Sequence, residues 1–200
     1  MPDRFLTLSR SRLPLDTVQL ARYLVGKLLI RETQGGLLIG RIVETEAYPV
    51  ADAASHAYRG MTSRNRSLFL SRGHAYVYLA YGVSYLLNVS SEAAGVGAGV
   101  LIRALEPMGG IASMQRNRGV QSLRDLARGP GRLSAAFGVD LHLDGIDLCQ
   151  AGPLRLARDG HAASEIAVSQ RIGLSREADR LLRFYVRGNR YVSGPNRLNR

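Results

Sequence analysis

Cysteine and lysine are nearly absent from this chain. A single cysteine, Cys149, rules out an internal disulfide and fits a reducing compartment. No run approaches the roughly 18 consecutive apolar residues that a membrane-spanning helix requires. The opening MPDRFLTLSR also lacks the apolar stretch of a secretory signal. A cytoplasmic protein is expected, associated with the nucleoid if the source is bacterial. The histidines, His56, His74, His142 and His161, stand too far from one another and from the cysteine for a zinc site. No GxxxxGK phosphate loop is present, and GVGAG at 95–99 reads as a flexible turn. Zinc chemistry and P-loop hydrolysis lose support, and no metal or cofactor is called for.

The lysine shortage excludes more. Of 27 basic residues only Lys27 is a lysine, and it sits in the apolar segment YLVGKLLI. An enzyme that attacks through an amine, forming a Schiff base, would need Lys27 or a Pro2 amine freed by loss of Met1. Lys27 reads as core and Pro2 has no acidic surroundings, so neither is expected to serve. What is abundant is arginine, and the net charge is +11. Such a balance suits a polyanionic partner, nucleic acid before membrane surface. Arginine's planar fork favours bidentate phosphate contacts, although a GC-rich genome produces the same excess.

At 46% apolar, 200 residues can build one sizeable core. Without repeats, low-complexity blocks or linkers, residues 1–200 read as a single domain. Asp16 caps a helix over DTVQLARYLVG. KLLIRET and LLIGRIVETEAY flank the turn QGG as an antiparallel hairpin. A polar loop from Pro49 to Arg72 precedes a second hairpin, then the strand GVLIRALE. Pro107 and the word GPGRL read as helix starts, and the final third as further strand and turn. Strands in runs with helices set apart predict an α+β fold around an antiparallel sheet.

Two features stand out. Four of the nine tyrosines fall within HAYVYLAYGVSYLLN at 74–88. Tyr76 and Tyr78 share a strand face, and Tyr76 and Tyr85 are expected in the core. Tyr81 sits beside Gly82 at a turn, where an exposed ring implies a partner. In RIVETEAY, Glu44, Glu46 and Tyr48 point to one side of a regular strand. The pair reads as surface acids on a solvated strand edge, or functionally as a general base facing a stacked ring or ligands of a nuclease magnesium.

GRIVETEAY, the downstream His56, RNR at 64–66, YVYLAYG, LLNVSS, VLIRALEP and RFYVRG, in that order from about Pro14 to about Ser193, resemble the alkyladenine (3-methyladenine) DNA glycosylases. The resemblance implies one mixed domain around a curved, open-barrel-like antiparallel sheet with a protruding β-hairpin. It implies a monofunctional, monomeric enzyme of base excision repair that flips alkylated or deaminated purines out of duplex DNA and hydrolyses the N-glycosidic bond, leaving an abasic site. By position, Glu46 would activate water, helped by Arg103, in the manner of an inverting glycosidase. Arg103 has the alternative of a buried ion pair with a sheet carboxylate. Tyr48 and Tyr78 would sandwich the purine, His56 would bond its edge or the adjoining backbone, and Asn88 would crowd the guanine amino group. Tyr81 would wedge into the vacated stack. Arg64 and Arg66, within a basic loop that also holds Arg59 and Arg72, would meet backbone phosphates. Glu44 receives no role, and no acid for protonating a neutral leaving base is visible. A non-catalytic nucleic-acid binder and a magnesium nuclease using Glu44 and Glu46 are the competing readings.

Overall fold

The computed structural model describes residues 5–161 and 165–199; Pro2 lies outside them. Along the chain run β1 (Leu6–Thr7), α1 (Thr17–Leu24), β2 (Leu28–Thr33), β3 (Gly36–Tyr48), β4 (Ala75–Ala80), β5 (Ser84–Ser90), β6 (Gly99–Gly109), α2 (Ile111–Arg118), α3 (Leu123–Leu126), α4 (Pro130–Phe137), β7 (Leu154–Arg158), β8 (Ile166–Ser169) and β9 (Arg183–Val186). Every pairing between these strands is antiparallel, in a nine-stranded sheet ordered β1-β7-β2-β3-β6-β5-β4. β9 joins β3 from the side and carries β8. The expected α+β domain around a curved antiparallel sheet is what the chain forms.

β3 organises the molecule. Its first half pairs with β2 through Arg41, and its far end pairs with β9 from Glu44 to Glu46 on the edge that β2 has left. The other edge runs along β6 with three breaks in register. At one of them Glu44 and Thr45 face Ala104 and Ile102, which leaves Arg103 as the extra residue of a bulge. Bulges bend a strand and re-aim the side chain they carry. The sheet curls here, and Arg103 turns toward β3.

Helix α1 forms as its sequence predicts: Asp16 accepts from the Gln19 N–H at 2.8 Å and caps the first turn. It buries Thr17, Leu20, Ala21 and Leu24, the two leucines contributing about 1.5–3 kcal/mol each. The Thr45 hydroxyl donates to the Ala21 carbonyl at 2.8 Å. The odd-numbered face of β3 is thus sealed by α1, and the even-numbered face is left for Glu44, Glu46 and Tyr48. Helix α4 starts at Pro130 after Gly129, as expected from GPGRL, and its Phe137 packs over Gly40 so closely that a Cβ there would lie 2.9 Å from the ring.

Pro107 does not start a helix. It lies inside β6 opposite Gly40, next to a register break, and α2 begins only after Gly110. A proline cannot donate to a ladder, and strands accept it at such irregularities. β6 therefore runs three residues beyond the Glu106 end expected of it.

Candidate active site

Register lines four side chains across the sheet. Glu46 faces Leu101, Leu101 faces Asn88, and Asn88 faces Tyr76, each on the next strand from β3 through β6 and β5 to β4. Strands lie about 4.8 Å apart, so this row spans roughly 14 Å. Above it opens a cavity of about 330 Å³ lined by Tyr48, His56, Tyr76, Tyr78, Tyr81 and Asn88 among others. Further walls come from the loop Ala53–Ser55, from Leu68, Gly99 and Leu101, and from Gly173–Arg176.

Tyr76 and Tyr78 stack with ring centroids 5.3 Å apart, and His56 meets Tyr78 edge-on at 4.4 Å. The His56 Nδ1 lies 2.9 Å from the Tyr76 hydroxyl. Tyr76 is buried, as expected, but in the pocket wall rather than away from it. Desolvation, and then the charge of Arg64, hold the His56 pKa below its ordinary value. The imidazole keeps solvent contact at the pocket mouth yet is neutral at physiological pH. Burial, and then Tyr81, push the Tyr78 phenol up to about 12. The Asn88 amide donates to the Tyr76 carbonyl at 3.3 Å, which fixes its plane at the pocket floor.

Glu46 is wholly buried behind Tyr48. Its Oε1 accepts from the Ile172 N–H at 2.7 Å; its Oε2 accepts from the Tyr48 hydroxyl at 2.9 Å and faces Arg103 Nη1 at 3.2 Å. Burial, followed by the adjacent Glu46 charge, raises the Tyr48 phenol above its usual range, so it stays a donor. Arg103 also forks to Glu44, with Nε 3.0 Å from Oε1. The buried ion pair and the contact with Glu46 are therefore both real.

Glu44 acquires partners that its sequence position does not reveal. Besides Arg103 it accepts from Arg183 Nε at 2.6 Å, from the Ser193 N–H at 2.6 Å and from the Ser193 hydroxyl at 2.9 Å. Although burial pushes the Glu44 pKa up, the arginines and these donors hold it below its ordinary value. With both carboxylates engaged by arginine and N–H donors, Glu44 and Glu46 are poor candidates for a shared magnesium. Among the described residues no group of three acidic, histidine or cysteine side chains is placed to hold a metal ion.

Tyr81 is 96% exposed at the tip of the β4–β5 hairpin, with Val83 beside it at 81%. Tyr81 and Gly82 have φ of 51° and 69°, and the Val83 N–H donates to the Ala80 carbonyl at 3.0 Å. The turn thus has two central residues in the left-handed region, a twist that matches a hairpin.

The basic loop divides. Arg59, Arg64 and Arg66 are exposed, with Arg64 Nη2 donating to the Leu79 carbonyl at 3.2 Å. Arg72 is spent on structure: its Nε donates to the Leu13 carbonyl at 2.9 Å, and it offers little to a phosphate. Lys27 is half-buried at the start of β2, its amine 4.8 Å over the Tyr23 ring, and it does not line the cavity. Sequence reasoning missed Leu101, Asp52, Arg171 and Gly173–Arg176. Only the parity of Leu101 with Arg103 along β6 held a clue, and the bulge breaks it.

The sequence profile described as Methylpurine-DNA glycosylase matches residues 11–190. A Mesorhizobium japonicum protein is 66% identical over 191 residues, covering 96% of this chain and 92% of its own. One from Paraburkholderia phytofirmans is 51% identical over 193 residues, covering 96% and 91%. Another, from Carboxydothermus hydrogenoformans, is 46% identical over 179 residues, covering 89% and 94%. All three are provisionally named 3-methyladenine DNA glycosylase.

Proposed function

The chain belongs to the methylpurine-DNA glycosylase family, and on that premise we propose that it hydrolyses the N-glycosidic bond of damaged purines flipped out of duplex DNA. The observation that carries this is one constellation: an aromatic-walled cavity lined by the exposed ring of Tyr81 and by Tyr48, whose hydroxyl bonds the buried carboxylate of Glu46 behind it.

Extruding a base costs a few kcal/mol of lost stacking, least for a damaged or poorly paired one. Tyr81 enters the gap from the minor groove and keeps the duplex from closing. The purine lies between Tyr48 and Tyr78. Arg171 lies over the Tyr48 ring, and Tyr78 carries Tyr76 and the edge-on His56; the base takes the parts of both rings that line the cavity. Stacking on one ring is worth about 1–3 kcal/mol, so two rings offset much of the extrusion cost. Neutral His56 bonds the purine edge or the adjoining backbone. Asn88, held by the Tyr76 carbonyl, crowds the guanine amino group and so acts by exclusion.

Glu46 takes a proton from water as the water oxygen bonds to the anomeric carbon. The carbon–nitrogen bond breaks and its electron pair leaves with the base. Arg103 holds the carboxylate and the water. In the free protein the Tyr48 hydroxyl caps Oε2 at 2.9 Å. A cationic base such as 3-methyladenine departs readily in this scheme. No amine takes part, so no strand scission follows, and exposed Arg64 and Arg66 neutralise flanking phosphates.

The test uses duplexes each bearing one defined lesion, incubated in chelator and then treated with alkali to reveal abasic sites. The unaltered chain is expected to release base without scission before alkali. Glu46→Gln should lower release by about 10²–10⁴-fold while still binding damaged duplex. Release unaffected by Glu46→Gln, or lost with chelator, overturns the reading.

A further inference from the structure

Two loops from distant parts of the chain form facing walls of the cavity. The first supplies Ala53–His56, the second Gly173–Arg176. A buried ion pair joins them: Arg171 Nη1 lies 2.6 Å from Asp52 Oδ2, and Nη2 lies 3.2 Å from Oδ1, with neither side chain exposed. The same guanidinium donates to the Ala47 carbonyl at 3.0 Å and the Glu177 carbonyl at 3.3 Å, and rests 4.6 Å over the Tyr48 ring. One residue further, the Ile172 N–H reaches Glu46 Oε1 at 2.7 Å. Asp52 Oδ1 accepts from the Ala54 N–H at 2.8 Å, which shapes the turn leading to His56. Arg180 approaches Asp52 from outside, at 3.6 Å.

We propose that the Asp52–Arg171 pair is a clip that sets the width of the pocket, making both positioning residues that determine which purines are excised. The proposal rests on the glycosylase reading above. Burying two opposite charges gains little stability over apolar side chains of the same size, because both must be stripped of water. What a forked pair adds is geometry, two parallel bonds that fix distance and direction together. Selection by exclusion requires a wall that does not yield, since a pocket that relaxes admits the wrong base. Here one guanidinium locks both walls, the stacking face of Tyr48 and the segment whose N–H holds the catalytic carboxylate.

Asp52→Asn keeps the shape and removes the charge; Arg171→Lys keeps the charge and removes the fork. Single-turnover release from a lesion duplex and from the matching undamaged duplex would be measured for each, with duplex affinity and thermal midpoint alongside. On the lesion, each variant is expected to slow about 100-fold, as a misplacement near 1 Å does, with affinity changed less than about threefold. The ratio of damaged to undamaged release should shrink about tenfold or more, and the double variant should be no worse than the worse single one. An unchanged ratio, whether the rates hold or fall together, overturns the clip. If a variant fails to fold, amide hydrogen exchange of the unaltered chain decides. Peptides over 171–177 should exchange as slowly as β3, and exchange as fast as the exposed segment 93–96 overturns the proposal. An unaltered chain that releases no base from any lesion defeats the functional reading instead, while exchange still reports on the clip.

Discussion

Tyr81 is held where a bulky side chain is uncomfortable. A left-handed residue other than glycine costs roughly 1–2 kcal/mol, asparagine less, and the exposed ring recovers nothing by packing. Strain of this kind clusters at functional positions. Tyr81→Asn should therefore leave stability unchanged or raise it by up to about 1 kcal/mol in urea unfolding, while weakening discrimination of lesion from normal duplex in binding. Glu44 presents the opposite case. Glu44→Gln leaves Arg103 and Arg183 short of a buried counter-charge, and a loss of about 3–5 kcal/mol is expected at pH 7. The sign of the pH effect follows from its lowered pKa. The carboxylate's contribution is complete above the ordinary value of 4.5 and disappears as pH falls through the folded-state value, so unfolding curves of the two proteins should converge in acid. His56, with its pKa lowered, should titrate below 6.5 in a proton NMR series. Acid between the ordinary value and the folded one favours the unfolded chain, so stability falls slightly as pH drops through that window, and not in His56→Gln.

At the scale of elements, β3 carries the molecule, and its pattern was the most legible part of the sequence. Alternation alone put Glu44, Glu46 and Tyr48 on one side, because a period of two survives wherever a strand is regular. Asp16 announced α1 and Tyr81–Gly82 announced the hairpin turn, since caps and turns are local chemistry. The bulge at Arg103 was not legible: it is a mismatch between two strands nearly 60 positions apart and leaves no mark on either alone. Pro107 misled for the same reason, as the irregularity that tolerates it belongs to the pairing with Gly40. That crossing can be tested. Gly40→Ala forces a Cβ to within 2.9 Å of Phe137 and 3.0 Å of Leu105, and overpacking of this sort costs about 1–3 kcal/mol. The unfolding free energy should fall by that amount in urea titration, while lesion release is preserved in the cold, since Gly40 is eight residues or roughly 26 Å along β3 from Tyr48.

For the molecule as a whole, composition foretold a basic partner-seeking surface but not where it lies. Arg64 and Arg66 proved exposed, Arg64 close enough to lower the His56 pKa, and Arg72 proved structural. Each of Arg64→Ala and Arg66→Ala should flatten the dependence of log affinity on log salt by about one unit, in fluorescence titrations of duplex across 50–200 mM salt. A slope equal to that of the unaltered chain removes that arginine from the contact set. Asp52 and Arg171 were the hardest residues to foresee: each sits in a loop without periodicity, and only folding brings them together.

The lone lysine finally has a practical corollary. Its ammonium is desolvated and crowded by Arg158, which depresses its pKa and leaves more of it as free amine near neutrality. Apart from the chain's own amino terminus, succinimidyl dyes have one side chain to acylate, and it does not line the cavity. With the amino terminus blocked, one fluorophore could thus be placed on the chain without any residue being replaced.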